Sequence, residues 1–162
     1  MSTRVKIWIF DNDGIRLASL EAAFADFRQA SFFKFEKLPE VLHARGLDAV
    51  YLSPPYAERW GARPIFERAE ILRTSPADRA GGMVPFVLSG ILFKPDDVRE
   101  PSSRLRLFMD SALEAAASFN RENPGAIRSV GFLGQNIAFD PLRPEEVASI
   151  VRRAYEEKLS ET

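Results

Sequence analysis

The chain has 162 residues, 46% of them apolar and 28% charged, with a formal charge of −1. That length suits one domain with its own core, and the balanced charge gives no electrostatic ground for a nucleic-acid or anionic-membrane partner. The lack of Cys excludes disulfides, a thiol nucleophile and thiolate metal sites, and the single His, His43, excludes a His-rich metal centre. No apolar run approaches membrane-spanning length. Met1-Ser2-Thr3 leads into an apolar run with no signal-peptide pattern, so a cytoplasmic protein is expected.

Val5 to Phe10 (VKIWIF) is nearly continuous apolar and β-favouring, which predicts a buried central strand. Asp11-Asn12-Asp13-Gly14 reads as a turn. From Ile15 to Gln29, the residues Leu17, Leu20, Phe24 and Phe27 recur at helical spacing and predict one buried stripe. A second short strand is expected over Ala30 to Phe35. Pro39 then opens a helix that Gly46 closes.

Asp48 to Leu52 (DAVYL) predicts a third strand, ended by Ser53-Pro54-Pro55-Tyr56, where two prolines exclude a continuing strand or helix. Pro64 to Leu72 is expected as a short helix, and Thr74 to Gly82 (TSPADRAGG) as the most loop-like and most mobile segment. Met83 to Phe93 predicts a strand with an irregularity at Pro85 or Ser89-Gly90, and Lys94 to Pro101 connects onward. Ser102 or Ser103 can cap the next helix, whose inner face carries Leu105, Phe108, Ala112, Ala116 and Phe119. Asn123-Pro124-Gly125 ends it.

Ile127 to Glu146 (IRSVGFLGQNIAFDPLRPEE) predicts a strand, a loop and a helix start at Pro144, with Glu145 and Glu146 in the first turn. Val147, Ile150, Val151 and Ala154 then face inward. Strands alternating with helices predict an α/β fold, a three-layer α/β/α sandwich with a mixed, mostly parallel sheet, in one domain over residues 1–162. In such folds ligands bind where strands end and the backbone turns into a helix.

The framework stretches VKIWIFDND, EAAFADF, ASFF, LDAVYLSPP, SALEAAASFN, IRSVGFLG and RPEEVASIVRRAYEE together resemble the macro domain, in a divergent bacterial and phage-type branch. The resemblance covers nearly the whole chain. It implies a macro-like fold and a nucleotide partner, ADP-ribose or a related molecule. It implies neither a cofactor nor a metal. DAVYLSPPY keeps the Asp-Ala start and the Ser-Pro of that branch's strand-end loop, including Ser53, but has Tyr56 where the family has a ribose-contacting Asn.

The early Asp that selects adenine in many macro domains would fall on Ser31, beside Phe32. The family's diphosphate turn, whose backbone N–H groups cradle phosphate, would become Asn136-Ile137-Ala138, preceded by Gly134-Gln135 and followed by Phe139. The resemblance thus implies phosphate on the Gly134–Phe139 backbone, base at Ser31-Phe32 and the distal sugar at Tyr56. Two readings of the loop stay open: a phosphate cradle, or a plain strand-to-helix link. Catalysis is not expected, because the family's hydrolases depend on positioning by an Asn and glycines that are absent here. A degenerate domain serving protein interaction or structure is the alternative, with Tyr56, Trp60 and Phe139 filling the cleft.

WIFDNDG also resembles the first motif of haloacid-dehalogenase-type phosphotransferases, a strand followed by Asp-x-Asp-Gly. That likeness implies Asp11 as nucleophile, Asp13 as acid/base, both on Mg²⁺, with Ser89 in the second motif and Lys94 on phosphate. The competing reading of Asp11 and Asp13 is a turn plus helix cap. A receiver domain is excluded by the lack of an Asp at the end of the third strand. His43, Arg104, Arg106, Arg152 and Arg153 read as solvated surface.

Overall fold

The computed structural model describes residues 5–93 and 99–158. The Met1–Thr3 lead-in and Lys94, with its suggested phosphate contact, lie outside the described residues. The elements run β1 (Lys6–Asp11), α1 (Gly14–Ala23), β2 (Ala30–Lys34), α2 (Leu38–Leu42), β3 (Ala49–Tyr51), α3 (Pro54–Ala57) and a 3-10 turn at Glu58–Trp60. There follow β4 (Ile65–Phe66), β5 (Glu70–Arg73), α4 (Pro76–Ala80), β6 (Phe86–Ser89), β7 (Ile91–Leu92) and α5 (Pro101–Glu122). The chain then forms β8 (Ser129–Leu133), α6 (Gly134–Ile137) and α7 (Pro144–Lys158).

A six-stranded sheet in the order β2-β1-β8-β3-β6-β5 makes the middle layer, and β4 pairs separately with β7. All neighbours in the large sheet are parallel except β5, which runs antiparallel to β6. The expected α/β fold with a mixed, mostly parallel sheet between helical layers is what forms.

Alternation along each strand sorts side chains between the two layers. Ile7, Ile9, Ala49, Tyr51, Leu88, Val130 and Phe132 join Leu20 and Phe24 of the α1 segment and the inner faces of α5 and α7. Phe10, Val50, Val87 and Leu133 face the other way, onto Val41, Leu42 and Ala57 of α2 and α3. The first layer is built on long helices. In α5 the residues Leu105, Phe108, Ala112 and Ala116 are buried at helical spacing as their pattern predicts, and Val147, Val151 and Ala154 do the same in α7. Phe27 stays buried although α1 ends at Ala23.

Several local expectations fail for identifiable reasons. Pro64–Leu72 is not a helix but β4 and the start of β5. Ile65 and Phe66 pair with Ile91 and Leu92, a non-local partnership that periodicity cannot reveal. Gly90, at φ +125, makes the break between β6 and β7, and an added Cβ would come 3.0 Å from the Arg68 carbonyl oxygen. The Thr74–Gly82 loop contains α4, capped by a reciprocal pair between Ser75 and Asp78 with Pro76 at its start. Pro54 and Pro55 do not exclude a helix: they occupy the first turn of α3, where a missing N–H costs nothing. The residue capping α5 is Glu100, so Ser102 and Ser103 already lie inside the helix.

Candidate functional site

Because β2, β1, β8 and β3 are adjacent and parallel, their C-terminal ends share one rim of the sheet. After β1 the chain enters α1, and after β8 it passes through α6 to α7, both in the long-helix layer. After β2 and β3 it enters α2 and α3, on the opposite face. Connections that leave neighbouring strands in opposite directions open a crevice above the strand ends. The crevice is present, a cavity of about 200 Å³ lined by Asn12, Phe35, Glu36, Leu38, Tyr56, Leu133 and Gln135.

Next to the lining residue Asn12 stands an ion pair with a buried carboxylate and a partly exposed guanidinium. Asp11, the last residue of β1 and 1% exposed, accepts from Arg16 Nε and Nη2, each at 2.7 Å. Oδ1 also accepts the backbone N–H of Asp13 at 3.0 Å, which folds the Asn12 turn back over the strand end. Donation to the Asp11 carboxylate raises the Arg16 pKa above its ordinary value, against the opposing effect of burial. Asp13 caps α1 through the N–H groups of Ile15 and Arg16. The Arg16 N–H contributes most to holding the Asp13 carboxyl below its usual value.

Gly134 packs against that carboxylate from the end of β8: a Cβ there would lie 2.1 Å from Asp11 Oδ2. Only a residue without a side chain fits. Both Asp11 oxygens are thus engaged by Arg16, and a nucleophilic role would require that pair to break first. Ser89 is likewise committed, its hydroxyl donating to the Leu52 carbonyl at 2.6 Å. Among the described residues no group of three or more His, Cys, Asp or Glu side chains could hold a metal ion.

The residues singled out in the sequence separate into groups. Tyr56, 59% exposed, and Gln135 both line the cavity. Ser53 precedes α3 and its carbonyl accepts the Tyr56 N–H at 2.9 Å, which sets the angle at which Tyr56 leaves the strand end. Gly134, Gln135, Asn136 and Ile137 form α6, a single helical turn rather than an open loop, and Ala138 caps it.

Ile137 is buried in the long-helix core, and Phe139 packs against Phe108 and Phe93 with ring centroids 6.3 and 6.4 Å apart. Both therefore point away from Tyr56. Asn136 Nδ2 is buried and finds no hydrogen-bond acceptor among the described residues. Ser31 and Phe32 sit mid-strand in β2, paired in register with Trp8 and Ile9. Phe32 faces Phe24 at 5.4 Å, and neither residue is among those lining the cavity.

Trp60 is engaged elsewhere, its Nε1 donating to Asp78 Oδ2 at 3.0 Å. That bond, with Arg59 on Oδ1 at 2.6 Å and Ser75, holds the Asp78 carboxyl well below the usual carboxylate range. His43 is exposed, with Nδ1 2.9 Å from the Pro39 carbonyl. Arg106 pairs with Asp110 and Glu157, and the Arg104 guanidinium lies over the Phe93 ring at 4.6 Å, so these two are more engaged than a solvated face implies.

Asn12, Phe35, Glu36, Leu38 and Leu133 were not singled out by motif. The signal that finds them is positional: each lies at or just after the end of a parallel strand. A larger groove of about 480 Å³ runs between α5 and α7 past Arg99, Arg106 and Arg153. It lies away from the strand ends, and Arg99 and Arg106 are already paired with Glu67 and with Asp110 and Glu157. No helix among the described residues is long and apolar enough to cross a membrane. Compared with known proteins, the chain matches no family model and no curated protein.

Proposed function

We propose that this chain is a non-catalytic binding module, of macro-like type, for the nucleoside end of ADP-ribose or a related nucleotide. The observation that carries the reading is the crevice above the strand ends, with an exposed Tyr56 on its wall and the Asn12 and Gln135 amides beside it. A phenol ring offers a stacking face for a base or sugar, and the two amides supply both donors and acceptors.

Size and charge narrow the ligand. Ligand pockets commonly run from about 300 Å³ upward, so a cavity of about 200 Å³ holds one base or one sugar, not a whole dinucleotide. The lining includes one charged residue, the acidic Glu36, and Arg16 is spent on Asp11. A phosphate would therefore lie outside, toward solvent and toward Lys34, whose Nζ is 4.0 Å from Glu36.

The test is a titration of the full chain with ADP-ribose and with adenosine, read by calorimetry and by melting temperature. A ligand selective for the native state at a hundredfold its Kd adds about 2.7 kcal/mol of stability. Tyr56→Ala should abolish the response while leaving the unliganded melting temperature nearly unchanged. No response to either ligand at millimolar concentration overturns the proposal. It would favour the second reading, a domain that carries no nucleotide, which the closure of Gly134–Ile137 into a helical turn supports, with the Ala138 and Phe139 N–H groups spent on the Gly134 and Ile137 carbonyls.

A further inference from the structure

Glu36 is the one charged group in the cavity wall. It stands two residues beyond the last residue of β2, so the β1–α1–β2 unit delivers its carboxylate to the rim where the Asn12 turn also lies. Its side chain is 77% exposed, and the one ion pair it makes among the described residues is the long contact to Lys34 at 4.0 Å. The capping work nearby is done by Glu40, which accepts from the N–H groups of Glu36 and Lys37. Apart from that long contact, neither Glu36 oxygen is bonded to another of the described residues.

We infer that Glu36 is the specificity-determining residue of the cleft, a carboxylate acceptor for the vicinal diol of an unsubstituted ribose. This rests on the nucleoside reading above. In dinucleotide-binding βαβ units an acidic residue downstream of the first strand accepts from ribose hydroxyls, and Glu36 stands just past the second strand of such a β1–α1–β2 unit. The neighbourhood favours a neutral donor pair over a cation: Lys34 already lies beside the carboxylate, and the adjoining wall of Phe35, Leu38 and Tyr56 suits a sugar or base. Charge-assisted bonds to a carboxylate are the stronger class, and a carboxylate repels a phosphate esterified at the 2′ position. Adenosine should thus be preferred to 2′-deoxyadenosine and to adenosine 2′-phosphate.

The experiment compares the affinities of those three compounds for the wild-type chain and for Glu36→Gln, which keeps the shape and removes the charge. Wild type should favour adenosine over 2′-deoxyadenosine by about tenfold or more, the size expected for a lost hydrogen bond to a charged group. Adenosine 2′-phosphate should bind more weakly still. In Glu36→Gln the ribose preference should shrink several-fold and adenosine 2′-phosphate should recover, with no change in unliganded melting temperature. Equal binding of ribose and deoxyribose by wild type, or an unchanged preference in Glu36→Gln, overturns the inference and leaves the nucleoside reading standing. Failure of wild type to bind any of the three removes both together.

Discussion

The two faces of the sheet are covered by different means. On one side α5 and α7 pack along their length and α1 lies against α7, and Tyr155 reaches across to donate to the Val5 carbonyl at 2.5 Å. On the other, helices of four or five residues and a 3-10 turn do the covering, each held by a cap, a proline or a side-chain bond. A long amphipathic helix draws its stability from a continuous buried stripe, whereas a single turn depends on local capping and its few packed residues. The lesson is a division of labour. The long-helix face carries most of the apolar burial, and the short-element face leaves the strand ends uncovered enough for a crevice.

The largest effect should come from the long-helix core. Leu113, fully buried in α5, should cost about 3–4 kcal/mol when changed to Ala, seen as a lower midpoint in urea unfolding with the slope unchanged. Gly134→Ala tests the junction between the faces. Its Cβ would collide with the Asp11 carboxylate and force it away from Arg16, at about 3 kcal/mol for an overpacked site. Gly125→Ala, where nothing lies within 4 Å but φ is +74, should cost only about 1 kcal/mol. Equal costs at the two glycines would remove the Asp11 contact from the argument.

Val41→Ala in α2 should cost less, about 2 kcal/mol, because a five-residue helix can settle into the space left. Amides of α2 to α4 should also exchange with solvent hydrogen faster than those of α5 and α7.

Acid sharpens the same contrast. Asp78 has its carboxyl lowered first by the Trp60 hydrogen bond, then by Arg59 and Ser75. Its contribution is therefore fully present above its ordinary value of 3.8 and is lost as pH falls below that toward the lower folded value. Amide exchange in α4 should rise over that acid range before α5 responds, and Asp78→Asn should remove the pH dependence. The smallest effect on stability belongs to Tyr56→Ala, under about 0.5 kcal/mol for so exposed a side chain.

The same division explains what could be read in advance. The stripes of α5 and α7 and the run of β1 were legible because burial repeats with the period of the element. The α4 cap was also present in Ser75-Pro76-Ala77-Asp78, a reciprocal pair around a proline, but the glycines and polar residues around it pointed to a loop. β7 falls within the interrupted strand expected over Met83–Phe93, but β4 was not legible, since Ile65 meets Ile91 only after the chain has turned at Gly90.

For the crevice, Tyr56 and Gln135 followed from locating the ends of β3 and β8. Phe35, Glu36 and Leu38 depended on knowing that β2 lies next to β1 and that its connection leaves on the opposite face. Arg16 escaped notice for a similar reason. In the sequence it is one more charge on a helix, and only the fold places it over Asp11.

The position of β8 has a consequence for how the protein is made. β8 lies between β1 and β3 in the sheet, yet among the described strands it comes after all the others in chain order. A nascent chain that has produced β1 to β7 holds β2 on β1 and β6 on β3 as two separate half-sheets, with the facing edges of β1 and β3 unpaired. Open edges of that kind invite wrong partners. Synthesis of Ser129 to Leu133 zips the halves together, and Tyr155 then ties α7 back to Val5. Truncation anywhere before β8 should therefore yield an aggregating product and no smaller stable domain.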